Sequence, residues 1–123
     1  MDCMLTFHNN GDHLIAIVSG VVNSFEDLSA MAHGVVEMTS EHWSKKALVD
    51  FRTVSMNIDF LSAQTLANDL EDEGVQLFGI RLACLYTHEN IDIYRVFETA
   101  HQNRSLNFKI FEHEDEAVDW LMS

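Results

Sequence analysis

Proline is absent from this 123-residue sequence, and glycine occurs only five times. A chain without proline has no polyproline spacer and no proline-punctuated linker, and it shows no internal repeat or low-complexity stretch. Nothing marks a boundary, so residues 1–123 are expected to form one domain. Positive charge is scarce: Lys and Arg number 7 against 20 Asp and Glu, giving a formal charge of −13. The resulting field repels phosphates and anionic head groups, which sets nucleic acid and bare membrane aside as partners. The acidity serves solubility, and it also suits a basic protein partner.

Long apolar runs are missing as well. LIAIV, Leu14 to Val18, is among the longest, far short of the roughly 20 residues that a membrane-spanning helix needs. No basic leader precedes a hydrophobic segment near Met1, so the expectation is a cytoplasmic chain without membrane insertion. Cysteine is limited to Cys3 and Cys84, each inside an apolar strand-like segment and neither in a CxxC pair. Reduced packing residues are expected there rather than a disulfide.

Chemical motifs are equally sparse. There is no GxSxG, no GxxxxGK loop, no GxGxxG, and no local basic group beside either cysteine to activate it. The seven histidines never pair as HxH, HxxH or HExxH. The densest ligand runs, His88-Glu89 and His113 to Glu116, are neighbours in sequence, whereas a metal site needs side chains that converge. The expectations are no cofactor, no metal and no enzyme.

What the chain does have is 47% hydrophobic residues distributed in alternating short periodicities. CMLTF places Cys3, Leu5 and Phe7 on one side of a strand, and HNNGD supplies a tight reversal at Asn10-Gly11. HLIAIVSG is apolar on both faces, which predicts a central strand covered above and below and closed by Gly20. Ser24 with Glu26 and Asp27 predicts a helix start. Phe25, Leu28, Ala32 and Val35 then form its core stripe, with Met31 and Met38 as core fillers or partner-facing knobs and Gly34 marking close packing.

KALVDF predicts the next strand, followed by a short loop TVSMN and a helix capped by Asp59 in which Phe60, Ala63, Ala67 and Leu70 share a face. GIRLACLYTH gives a fourth strand, and Asn90 caps a third helix carrying Ile93, Tyr94, Phe97 and Ala100. LNFKIF reads as an edge strand, and HEDEAVDWLM as a closing helix with Ala117, Val118 and Leu121 inward. The predicted architecture is α/β in the order ββαβαβαβα: a mixed, mostly parallel five-stranded sheet with four helices on its two faces, only the first strand running antiparallel.

The pieces IRLACLYTH and YRVFETAHQNRSLNFKIFEHEDEAVDWL carry a recognisable combination. An arginine-led apolar strand is followed by a helix with a central Phe, an Asn-Arg turn, a Phe-ending strand, and an acidic helix closing in Ala-x-x-Trp-Leu. The positions are Arg81, Phe97, Asn103, Arg104, Phe111, Ala117, Trp120 and Leu121. With GDHLIAIVSG and ALVDF, the chain resembles the SpoIIAA-like group of STAS-type domains over nearly its whole length. The resemblance implies a small α/β fold and a superfamily that joins bacterial regulators to CRAL-TRIO-like lipid carriers.

In the STAS regulators the resemblance points to a partner kinase and a serine, in an Asp-Ser-x-Gly turn, that is switched by phosphorylation. That turn is missing here. Ungapped alignment on VDF places Asp59 at the serine's position, flanked by Ile58, Phe60 and Leu61 with no glycine. Two readings of Asp59 stand, a helix cap and a permanent mimic of phosphoserine. Ser55 and Asn57 belong to the same regulatory loop, with Ser55 and Ser62 as the nearby hydroxyls.

Ligands of open parallel sheets bind beyond the carboxyl ends of the strands. That edge is expected to carry Ser19 and Val21, then Asp50, Arg52 and Thr53, then Tyr86, Thr87 and His88. Arg52 either holds an anionic ligand or pairs with Asp50. The functional expectation is a non-enzymatic binding or regulatory module, a homodimer with a possible protein partner. A carrier of a small apolar or lipid-like ligand is the alternative, and a hydrolase built on Asp50, Arg52 and His88 is the third reading.

Overall fold

The computed structural model describes residues 2–123. Strands β1 (Cys3–Asn9), β2 (Leu14–Val22), β3 (Lys46–Met56), β4 (Arg81–Leu85) and β5 (Phe108–Phe111) form one sheet, and helices α1 (Phe25–Glu41), α2 (Phe60–Asp72), α3 (Ile91–Gln102) and α4 (Glu114–Met122) connect or follow them. The strands lie in sequence order, β1 antiparallel to β2 and every later pair parallel. Architecture and element order are as the sequence periodicity predicts.

The sequential order decides where the helices go. Each parallel crossover advances by one strand in the same direction, so right-handed connections drop α1, α2 and α3 on a single face. Their buried residues, among them Leu28, Val35, Leu66, Leu70 and Phe97, pack with Ala16, Val18, Val49, Phe51 and Cys84 into the main core. Helix α4 alone returns across the other face, where Ala117 and Leu121 seal against Leu48, Ala83 and Leu85. Arg81 fixes that return: its Nη1 donates to the carbonyls of Trp120 (2.8 Å) and Ser123 (3.1 Å), and its guanidinium lies 4.8 Å from the centre of the Trp120 ring. Here an arginine leading a strand and a Trp-Leu helix end explain each other.

One helix cannot cover five strands, so the outer side of β1 and the Ile17 stretch of β2 are left bare, while Ile15 of β2 still packs against the α4-side cluster. Met4 is 63% and Ile17 39% exposed, which corrects the expectation that β2 is covered on both faces. Strand β2 also runs through Gly20 to Val22. Gly20 has φ +84°, and a Cβ there would sit 2.4 Å from the Asp2 carbonyl oxygen, so only glycine fits. At Gly34 a Cβ would meet Leu5 at 3.1 Å, confirming close packing of α1 on β1.

The caps are mixed. Ser24 accepts from the Asp27 N–H at 3.1 Å and starts α1 as read from sequence. Asn90 does not cap α3 with its side chain: its amide instead donates to Thr87 Oγ1 at 3.2 Å. Both cysteines are buried and free. Met31 is in the core and Met38 is half exposed.

Candidate functional site

Strand β3 is longer than its apolar half. TVSM continues it to Met56, pairing Thr53 with Ser19 and Met56 with Val22 alongside β2, so Asp50 and Arg52 sit within the strand rather than at its carboxyl end. The register slips between Ile17↔Asp50 and Ser19↔Thr53, which inserts one extra residue into β3. Such a bulge frees a main-chain N–H from the ladder. The carboxylate of Asp50 takes it up: Oδ1 accepts from Arg52 N (2.9 Å) and Nε (3.0 Å), and Oδ2 from Nη2 (2.9 Å).

Arg52 also reaches Glu114 at the start of α4, at 3.4 Å. Burial pushes the Asp50 carboxyl up, but the hydrogen bonds from Arg52 outweigh it and hold the group below its ordinary value, ionised at neutral pH. A carboxylate occupied in this way, with three of its roughly four acceptor positions taken by Arg52, clamps a bulge.

The rest of the predicted edge is dispersed. Thr53 Oγ1 donates to the Val18 carbonyl at 3.3 Å. The Tyr86 ring is buried and packs 5.5 Å from Tyr94. His88, 75% exposed in its side chain, pairs with Glu112 at 3.0 Å and shares no hydrogen bond with Asp50 or Arg52. Asp50, Arg52 and Glu114 therefore form one group, and His88 with Glu112 another.

In the loop before α2, the Asn57 N–H donates to the Val22 carbonyl (2.7 Å) and Ser55 Oγ lies 3.4 Å from Asn57 Oδ1. Asp59 Oδ1 accepts from the Ser62 N–H at 2.8 Å, the geometry of a helix cap, and the Ser62 side chain together with this main-chain N–H lowers its pKa. The cap sets the phase of α2. Ala63, Leu66, Ala67 and Leu70 turn inward, while Phe60, expected in the core stripe, is 53% exposed and Leu61 69% exposed. Two large apolar side chains thus stand in water beside Asp59.

Two features escaped the sequence. A cavity of about 40 Å³ lies between α1, α2, α3 and the sheet, lined by apolar side chains and His101. A groove of about 450 Å³ separates α2 from α3, lined by Gln64, Arg95, Val96, Thr99, Ala100, Asn103 and Arg104. Among the described residues, no three His, Cys, Asp or Glu side chains gather to hold a metal ion. No helix among them is long and apolar enough to cross a membrane.

This sheet order, with three helices on one face and one on the other, is the SpoIIAA-like fold of STAS-type domains. An uncharacterised protein of the DUF3478 family with a SpoIIAA-like fold, from Shewanella loihica PV-4, superposes with a TM-score of 0.58 at 20% identity, covering 97% of this chain and 93% of that one. An anti-sigma factor antagonist from Mycobacterium paratuberculosis superposes with a TM-score of 0.60 at 11% identity, covering 98% of this chain and 95% of its own. No family model and no curated protein matches the sequence. At these identities the likeness is one of fold.

Proposed function

We propose that this chain is a non-enzymatic regulatory module that binds another protein through the β3–α2 loop and the start of α2, and that it does so without a phosphoserine switch. The observation that carries the reading is the exposure of Phe60 and Leu61 next to Asp59. Exposed large apolar side chains at a helix start cost solubility, and a protein partner that covers them recovers the lost burial. An anti-sigma factor antagonist among the similar folds agrees with a regulatory protein-binding role. Asp59 is already engaged as a cap and offers no hydroxyl to a kinase.

Affinity purification from the native host with wild type and with the Phe60→Glu/Leu61→Glu variant tests it. A partner retained by wild type and lost by the variant, with the fold intact by circular dichroism, is the expected result. Equal recovery by both proteins contradicts it.

The module is further proposed to be a homodimer. The bare outer side of β1 and β2, with Met4 and Ile17 exposed, supports self-association. Light scattering that finds only a 14.1 kDa species at high concentration counts against it.

The carrier reading rests on the apolar cavity beside His101. At about 40 Å³ it falls well below the volume of a lipid-like ligand, since even a cavity of about 150 Å³ takes only a benzene ring. Native mass spectrometry that shows a retained adduct of several hundred daltons would favour it over the protein-binding reading.

A further inference from the structure

The sheet has two edges, and they are finished differently. At β5 the outward main-chain groups are taken: the Gln102 side-chain amide donates to the Phe108 carbonyl at 3.0 Å, and the Glu98 carboxylate accepts from the Ile110 N–H at 2.8 Å. That strand is 4 residues long and carries Lys109. Short length, a lysine and occupied main-chain groups keep a sheet edge from pairing with another chain.

Strand β1 has none of these protections. It runs 7 residues in unbroken register with β2, and among the described residues nothing bonds to its outward main-chain groups. In a chain of charge −13, Cys3–Asn9 contains no Asp, Glu, Lys or Arg. The pairing with β2 settles which groups face outward. The Val21 N–H donates to the Asp2 carbonyl at 3.1 Å, and the Asn10 N–H to the His13 carbonyl at 3.0 Å, so even-numbered residues turn their main-chain groups toward β2. Cys3, Leu5, Phe7 and Asn9 turn theirs to the open edge.

The strand is also complementary to itself. Laid antiparallel to a second copy about Thr6, Leu5 falls opposite the partner's Phe7 and Cys3 opposite the partner's Asn9. These are the outward-facing residues, so each such pair exchanges two N–H···O bonds. On the outer side Met4 falls opposite the partner's His8, and the two Thr6 side chains meet at the two-fold axis. Leu5 and Phe7 are half-buried beside the main core and Met4 is 63% exposed, so pairing adds cover to all three. Aromatic and Thr–Thr cross-strand pairs stabilise a sheet. No like charges meet along this seam, although two copies of such an acidic chain repel elsewhere.

We infer that a second copy of this chain docks on the β1 edge, the two β1 strands pairing antiparallel about Thr6 so that the two sheets become one. The inference rests on the homodimer reading and names its seam, which is main chain to main chain rather than outer face to outer face.

The test is disulfide trapping in the full chain. Thr6→Cys puts two thiols on directly opposite, non-hydrogen-bonded residues with Cα atoms about 4.5 Å apart, within the reach of a disulfide. Met4→Cys lies on the same outer side but faces the partner's His8, and the native Cys3 and Cys84 are buried. Mild oxidation is expected to give a covalent species of twice 14.1 kDa from Thr6→Cys and not from Met4→Cys. Thr6→Lys, which sets two lysines opposite each other, should raise the dimer dissociation constant about fivefold. Because that change also eases the overall repulsion between acidic copies, weakening reports on the seam.

A wild-type dimer in which Thr6→Cys is not trapped, or Met4→Cys is trapped as readily, overturns the β1 seam while the homodimer reading stands. An unchanged dissociation constant in Thr6→Lys overturns it as well. A wild type that stays at 14.1 kDa in light scattering removes both the seam and the homodimer, and leaves the Phe60/Leu61 surface as it was.

Discussion

Asp50 closes a bulge with its own neighbour: one carboxylate accepts the freed main-chain N–H of Arg52 at 2.9 Å and both Nε and Nη2 of the same residue. Asp50→Asn keeps one oxygen but loses the charge and one acceptor. It is expected to cost about 1.5–3 kcal/mol, the range for hydrogen bonds to a charged group. Glu114→Gln removes an exposed contact at 3.4 Å and is expected to change stability by about 0.5 kcal/mol or less. Because the Asp50 carboxyl titrates below its ordinary 3.8, its contribution is complete above that value and is lost as pH falls through the lower native one. Urea unfolding of both variants checks the order.

His101 makes the fold sensitive to acid at higher pH. Buried against Phe108 with ring centres 4.5 Å apart, and with Nδ1–H donating to the Phe97 carbonyl at 2.6 Å, its imidazole is held neutral by burial down to about 4. The unfolded chain takes up that proton near 6.5, so stability is full above 6.5 and falls as pH drops toward about 4. The loss is on the order of 3 kcal/mol at 1.36 kcal/mol per unit. His101→Phe is expected to flatten this part of the stability–pH curve, read by urea midpoints at intervals across the range.

Tyr94 carries its hydroxyl into the core without a partner. The ring packs between Phe51 and Tyr86, at 5.4 and 5.5 Å. Burial of an unpaired hydroxyl costs about 1–3 kcal/mol by mutational scales. Tyr94→Phe keeps the ring and removes that cost, and should raise the thermal midpoint. A fall instead would mean that the hydroxyl has a partner after all.

His33 ties α1 to α2 through Glu73, at 2.8 Å. The hydrogen bond that His33 donates to the Glu73 carboxylate, with one to the Ser29 carbonyl, raises the imidazole above its ordinary 6.5. The stabilisation is complete below 6.5 and is lost as pH rises through the native value. Both side chains are substantially exposed, so it is worth only a few tenths of a kcal/mol. An NMR titration should place His33 above 6.5, and Glu73→Gln should lower it.

Most of the fold was legible because periodicity reports local burial. Ser24 announced α1, and the alternation of apolar segments fixed strand and helix order. The end of β3 was not legible: Thr53 and Ser55 are polar on the open side, so the strand there reads as a loop until β2 is seen to pair with it. Phe60 was misplaced because hydrophobic spacing alone does not give the phase of a helix, which the Asp59 cap sets.

The site was less legible than the fold. Asp50 with Arg52 was visible as a close pair, but Glu114 lies 62 residues from Arg52 and arrives only when α4 crosses the sheet. The groove between α2 and α3 likewise joins Gln64 to Arg95 and Arg104, and no local pattern links those positions.

The most direct measurement of the central claim is hydrogen–deuterium exchange on the complex of this chain with a partner purified from its native host. Residues 55–66, the β3–α2 loop and the first turns of α2, are expected to become protected on binding, while the outer side of β1 and β2 does not change with that partner. Protection elsewhere, with residues 55–66 exchanging as in the free chain, would contradict it.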